Sequence, residues 1–152
     1  MSDSFDQDSL SRQGALLGLD YGSKRVGIAI CNREQTIALP LATYIRRSED
    51  EGGRYLAALV AEYQVVGIVV GLPMHMSGEE GEQAQKARRF GQWAINAIGL
   101  PVCFWDERLT TVTAERYLQQ TELSRKKRKA RIDQVAAQVM LQSYLERHAP
   151  NE

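Results

Sequence analysis

Four acidic residues border apolar runs in a way that suggests chemistry. Asp20 follows Ala15-Leu16-Leu17-Gly18-Leu19, Asp106 and Glu107 follow Pro101-Val102-Cys103-Phe104-Trp105, and Asp133 opens a helical pattern beginning at Ile132. A carboxylate at the end of a buried run costs on the order of several kcal/mol unless a cation or hydrogen-bond donors meet it. Gathered in one crevice, such carboxylates repel and raise one another's pKa unless hard cations sit between them. Oxygen-only ligation suits Mg²⁺ or Mn²⁺. Two such ions about 4 Å apart stabilise the attacking and leaving oxygens of an in-line phosphodiester displacement. The chemistry implied is metal-dependent nuclease hydrolysis.

The elements that must bring these residues together can be read along the chain. Ala15–Leu19 and Val26–Ile30 are apolar runs around a polar tip, Gly22-Ser23-Lys24-Arg25, and predict a hairpin. Gly18, Gly22 and Gly27 leave room for another backbone, or a phosphate, to come close. Thr36–Ile45 is β-rich with Pro40 inside it, as suits an edge strand. Tyr55, Leu56, Leu59, Val60 and Tyr63 fit a helix, and Val65–Leu72 reads as a strand buried on both faces. A second helix is predicted from about Glu79 to Ile98, a strand over Pro101–Trp105, and a helix over Val112–Gln120 capped by Thr110 or Thr111. The last helix carries Ile132, Val135, Ala136, Val139, Met140 and Tyr144 on its expected apolar face. This is an α/β order, with parallel strands joined by right-handed crossovers. Open α/β sheets bind ligands beyond the carboxyl ends of their strands. If the first strand neighbours Val65–Leu72 and then the Val102 strand, the acidic ends converge.

Composition narrows the class. The 152 residues, 43% hydrophobic, suit one domain with its own core. That domain is expected over residues 14–147, after a polar disordered lead-in at 1–13 and before a short tail at 148–152. Cys31 and Cys103 sit inside apolar runs and read as buried hydrophobes of a reducing compartment. No run is long enough to span a bilayer, and the acidic start is unlike a secretory signal, so a cytoplasmic protein without membrane contact is expected. Formal net charge is zero, yet Arg125, Lys126, Lys127, Arg128, Lys129 and Arg131 put six cations in seven residues. Such local asymmetry suits a polyanion even when the total cancels.

The residues also carry a resemblance. Leu19-Asp20-Tyr21-Gly22-Ser23-Lys24-Arg25-Val26-Gly27 resembles the first motif of the YqgF family of RNase H-like nucleases. Val69-Val70-Gly71-Leu72-Pro73 with Gly78 resembles its second motif, Asp106–Thr111 its third, and Ile132–Ala137 its fourth. The resemblance runs from Ala15 to Arg147. It implies an RNase H-like mixed sheet in the order 3-2-1-4-5, with strand 2 antiparallel and helices on both faces. It implies a nuclease using Mg²⁺ or Mn²⁺, with Asp20, Glu107 and Asp133 as its catalytic, metal-holding triad. The substrate implied is the 5′ end of pre-16S ribosomal RNA during ribosome biogenesis, in contact with pre-ribosomal particles. A Holliday junction in branched DNA is the alternative. Regular alternation along a strand lets only one of Asp106 and Glu107 face the site. Glu107 is assigned, and a bulge there would exchange the two.

Each residue also has a plainer reading. Asp20 suits a turn before a glycine-rich tip, Asp133 complements a helix dipole, and Asp106-Glu107-Arg108 suits a surface charge cluster. The co-occurrence of all three favours the metal site. The run Arg125–Arg131, with Lys24 and Arg25, is assigned to phosphate-backbone contact, which carries affinity without sequence readout. Arg108 is assigned to nucleic acid or to bracing a neighbouring carboxylate. His75 and His148 lack ligand spacing, and Trp93 and Trp105 are assigned to core or interface rather than to base-stacking platforms. An actin-like ATPase also opens with a similar phosphate hairpin, but the chain has no room for the second domain such enzymes use. A non-catalytic RNA-binding assembly factor is the other competitor. Monomer and homodimer both remain open; a resolvase cutting two strands symmetrically is expected to be a dimer.

Overall fold

The computed structural model describes residues 10–22, 24–74, 77–110 and 132–148. Among them, β1 (Ala15–Tyr21), β2 (Arg25–Cys31), β3 (Ala38–Ile45), β4 (Val65–Leu72) and β5 (Val102–Asp106) form one sheet in the order β3-β2-β1-β4-β5. β1 pairs antiparallel with β2 and parallel with β4, and β4 pairs parallel with β5. The expected hairpin, mixed sheet and strand order are all present. β3 is one of the two edge strands, and its register shifts beside Pro40, which has no N–H to give the ladder.

Two layers cover the sheet. Helices α1 (Glu49–Tyr63) and α2 (Glu82–Ile98) pack on one face over Leu17, Leu19, Ile28, Ile68, Val70 and Phe104. Helix α3 (Ile132–Arg147) covers the other over Leu16, Ala29, Val69, Cys103 and Trp105. The even residues of β1 therefore face α3 and the odd ones face α1 and α2. α1 begins where the Ser48 hydroxyl accepts a 3.1 Å hydrogen bond from the Glu51 N–H, and ends at Gln64 in the left-handed region. α2 starts at Glu82, three residues later than expected, behind an N-cap at Gly81.

Helix α3 departs from its predicted apolar face. Ile132 is 64% exposed and Ala136 is exposed, whereas Ala137, Met140, Leu141, Tyr144 and Leu145 are buried together with Gln138, Gln142 and Ser143. The buried glutamines serve the sheet edge. Gln142 Oε1 accepts from the Ala38 N–H at 2.8 Å, and Gln138 Nε2 donates to the Ala38 carbonyl at 2.9 Å. An edge strand would otherwise leave those groups bare.

Two boundaries also shift. Within the lead-in expected to be disordered, Leu10 is 3% exposed and packs over Gly67, and Ser11 and Gln13 are hydrogen bonded. Leu10 joins the α3-side core, so ordered packing begins before residue 14. At the other end, His148 is part of the packed structure, its ring 4.4 Å from that of Tyr144. Both cysteines are buried thiols. Among the described residues no helix is long and apolar enough to cross a membrane. The predicted helix over Val112–Gln120 lies outside the described residues.

Candidate active site

Asp20 sits near the carboxyl end of β1 on the face that α3 covers, paired in register with Gly27 of β2. A Cβ on Gly27 would collide with the Asp133 carbonyl oxygen, so the first turn of α3 rests directly on that glycine. Gly18 does the same about two turns on: its Cβ would lie 2.9 Å from the Leu141 Cβ. The two glycines let a helix backbone lie against the hairpin, and this brings Asp133 beside Asp20. On the other flank, Gly71 of β4 leaves the space that the Glu107 carboxyl fills, and a Cβ there would stand 2.5 Å from Glu107 Oε2.

The end of β5 separates the two neighbouring acids. Asp106 caps the 3₁₀ turn Glu107–Leu109, accepting the Arg108 N–H at 2.9 Å. Its carboxylate also takes the Arg108 guanidinium, Nη2 to Oδ2 at 2.6 Å and Nε to Oδ1 at 3.1 Å. Those bonds hold the Asp106 carboxyl below the usual carboxylate range. Glu107, one residue on, is instead hydrogen bonded to Asp20. Arg108 therefore braces a neighbouring carboxylate, the second of its two assignments.

Burial pushes Glu107 up to about 7, with the Asp20 charge, their hydrogen bond and the Asp106 charge adding to the rise. Burial also raises Asp20, opposed by its hydrogen bond with Glu107 and reinforced by the charge of Asp133. Below about neutrality Glu107 keeps a proton and donates it to the Asp20 carboxylate. Asp133 is met by Arg25, Nε to Oδ2 at 3.3 Å. Among the described residues no three acidic, histidine or cysteine side chains already stand in a metal-holding arrangement. The triad is instead a proton-sharing pair with a guanidinium-held neighbour. An oxygen-only donor set of this kind fits a hard divalent cation, provided Glu107 gives up its proton and Asp133 turns from Arg25.

The family model for "RuvX: Holliday junction resolvase" matches residues 14–147. The chain belongs to the RuvX family. A relative named "Putative pre-16S rRNA nuclease" from Cereibacter sphaeroides is 49% identical over 91% of this chain and 87% of its own. Another of the same name, from Caldanaerobacter subterraneus subsp. tengcongensis, is 45% identical over 86% of this chain and 95% of its own. Among solved structures, RuvC of T. thermophilus in complex with a Holliday junction substrate overlays with a TM-score of 0.52 at 14% identity, covering 90% of this chain and 96% of that one. The Fowlpox virus resolvase with its junction DNA gives 0.52 at 11% identity, covering 90% of this chain and 99% of that one. These overlays show that the chain shares the fold of RuvC and of the viral resolvase.

Of the other residues read from the sequence, Lys24 is exposed at the hairpin tip, and Arg25 is occupied by Asp133. Arg125, Lys126, Lys127, Arg128, Lys129 and Arg131 lie outside the described residues, as do Ser23, His75 and Thr111. Sequence reasoning missed the Arg25–Asp133 pair, since nothing local links the hairpin tip to a helix so far along the chain. It also missed Gly71 as the floor under Glu107, reading it only as part of the strand's end.

Two expected outcomes follow from this site of the RuvX-family chain. Gly71→Ala puts a methyl against the far end of a flexible side chain, which moves aside. Its stability should stay within about 1 kcal/mol of wild type, while nuclease turnover falls about 10- to 100-fold because Glu107 is displaced. Thermal melts and a single-turnover cleavage assay check both halves. The second outcome concerns pH. The Glu107 carboxyl is raised in the folded protein above its ordinary 4.5, so the folded state binds more protons than the unfolded one up to about pH 7. That stabilisation is complete below the unfolded value and is lost as pH rises through the folded one. The full shift corresponds to about 3 kcal/mol; partial exposure reduces this to about 1–2 kcal/mol. Chelator-treated Glu107→Gln should therefore melt about 3–6 °C above wild type near pH 8 and lose most of the wild-type slope between about pH 5 and 8. Parallel pH slopes for the two proteins would contradict the assignment.

Proposed function

We propose that this chain is a divalent-metal-dependent nuclease that hydrolyses phosphodiester bonds at the 5′ end of pre-16S ribosomal RNA, acting in the cytoplasm on pre-ribosomal particles. Asp20, Glu107 and Asp133 are its catalytic residues and metal ligands, and residues 14–147, with Leu10 and His148 packed against them, are the nuclease unit. The observation that carries the reading is the half-buried Asp20–Glu107 carboxyl pair with Asp133 beside it, at the carboxyl ends of the strands. The names of the relatives support the ribosomal substrate.

Mg²⁺ or Mn²⁺ bound there would supply charge stabilisation for the attacking and leaving oxygens of the scissile phosphate. The chain's own residues prepare for this. Glu107 releases its proton, so that both carboxylates of the pair offer oxygens. Asp133 turns from Arg25, and the freed guanidinium is then positioned for a non-bridging phosphate oxygen. Lys24 and the run Arg125–Arg131 supply phosphate-backbone contact, and Arg108 holds the Asp106 carboxylate. This division gives affinity without sequence readout.

The family model's own description favours a second reading, the resolution of Holliday junctions. The test is purified protein with Mg²⁺ or Mn²⁺, given a 5′-extended 16S precursor fragment and a four-way DNA junction side by side, with its mass in solution measured alongside. The proposal expects faster cleavage of the RNA by monomer or homodimer. Symmetric junction cutting by a dimer, with the RNA untouched, would replace it with the second reading.

A further inference from the structure

A groove of about 650 Å³ opens on the α1–α2 side of the sheet, away from the carboxyl pair. Its size falls within the range of about 300–1,000 Å³ typical of small-ligand sites. One wall is aromatic. The Tyr21 ring lies 4.9 Å from that of Phe90, and Phe90 lies 5.4 Å from Trp93. All three pack against the core at their backs and are half-buried. The sequence assigns both tryptophans to core or interface; the structure separates them, with Trp105 at 1% exposure and Trp93 lining the groove.

The rim is cationic. Arg46 and Arg47 come from the segment between β3 and α1, and Lys86 and Arg89 come from α2; Glu49 is the acidic residue lining the groove. The Arg46 guanidinium lies over the Tyr21 ring, 4.7 Å from its centroid, and donates to the Tyr21 hydroxyl at 2.9 Å. Lys86 is only loosely matched by Glu82 at 3.8 Å. Aromatic faces bounded by guanidinium and ammonium groups are the elements that grip a single strand, with bases stacked on rings and phosphates held by cations. A duplex hides its base faces and offers nothing to such a wall.

The position of the groove gives it a role. Tyr21 follows Asp20 in β1, with Cα atoms about 3.8 Å apart, and strand alternation sends the two side chains to opposite faces of the sheet. A nucleic-acid strand passing over the end of β1 thus meets the carboxyl pair on one side and the aromatic wall on the other. We infer that this groove binds unpaired nucleotides of the substrate strand next to the scissile phosphate, so that the enzyme requires a single-stranded stretch beside its cut. This rests on the nuclease reading and adds to it a substrate class: strand ends or junctions with splayed bases.

The test uses the full chain with a chelator present, titrated with labelled single-stranded RNA of about twelve nucleotides, the same sequence as DNA, and the matching blunt RNA duplex. The single strands should bind at least about tenfold more tightly than the duplex and quench indole emission, and the RNA and DNA arms assign the sugar. Arg47→Glu combined with Arg89→Glu should weaken single-strand binding about tenfold or more. It should also flatten the log–log salt dependence by about 1.4, the value for two lost phosphate contacts. In cleavage the same double variant should raise KM far more than it lowers kcat. Trp93→Phe should abolish the quench. Duplex binding as tight as single-strand binding, wild-type affinity in the double variant, or a quench that persists without Trp93 would each overturn the inference. Cleavage by the wild type with Mg²⁺ or Mn²⁺ tests the parent reading separately. If the wild type cleaves and the double variant keeps its KM, the groove assignment falls alone; if the wild type binds single strands but never cleaves, the nuclease reading falls alone.

Discussion

Asp20→Asn should lower phosphodiester cleavage by at least about a thousandfold while leaving nucleic-acid affinity within about threefold of wild type. The asymmetry follows from what Asp20 touches. Its carboxyl shares a proton with Glu107 and lies near Asp133, on the face of β1 that α3 covers, and it offers no positive charge to a phosphate backbone. An amide of the same shape keeps the packing but removes the charge that a divalent cation requires. It also removes the anion that raises Glu107, so chelator-treated Asp20→Asn should be no less stable than wild type near pH 7. Filter binding and single-turnover cleavage on one preparation measure both. Unimpaired cleavage would show that the reaction occurs elsewhere.

Gly27→Ala should do what Asp20→Asn does not: damage the fold and the site together. The added methyl would collide with the Asp133 carbonyl oxygen, a backbone atom at the start of α3. Neither side can give way cheaply. β2 is paired on both edges, by β1 and by β3, and α3 is anchored to the sheet through Leu141, Tyr144 and the glutamine bonds to Ala38. Forcing the helix start away should cost about 3 kcal/mol, a fall in melting temperature of roughly 6–12 °C. Cleavage should fall below detection, since Asp133 moves with its backbone. Gly71→Ala supplies the contrast, because there the methyl meets only the end of the Glu107 side chain. Equal melting temperatures for the two alanine variants would contradict this account of how the glycines position the acids.

Much of this arrangement is legible in the residues because local pattern and tertiary demand agree. The hairpin, the doubly buried β4 and the edge position of β3 each follow from apolar runs, glycines and one proline. Strand alternation lets only one of Asp106 and Glu107 face Asp20, and the resemblance assigns Glu107; in the structure Asp106 is bonded to Arg108 instead. What could not be read depends on partners distant in sequence. The buried face of α3 is partly polar because Gln138 and Gln142 bond to the β3 edge, and a rule that counts apolar residues turns the helix too far toward Ile132 and Ala136. Leu10, one apolar residue amid a polar stretch, gains meaning only when Gly67 of β4 is beneath it. Arg25 reads as a phosphate contact until Asp133 arrives from α3. The aromatic and cationic groove draws on β1, β3, α1 and α2 at once, so no window along the chain contains it.

Calorimetric titration of Mn²⁺ into chelator-stripped protein near pH 7 tests the central claim most directly, run in two buffers of different ionisation enthalpy and repeated with Asp20→Asn, Glu107→Gln and Asp133→Asn. The account predicts that the wild type binds the ion and releases a fraction of a proton from Glu107, and that each of the three variants loses most of the affinity. Wild-type binding that persists unchanged in all three variants, or a wild type that binds no Mn²⁺, would contradict it.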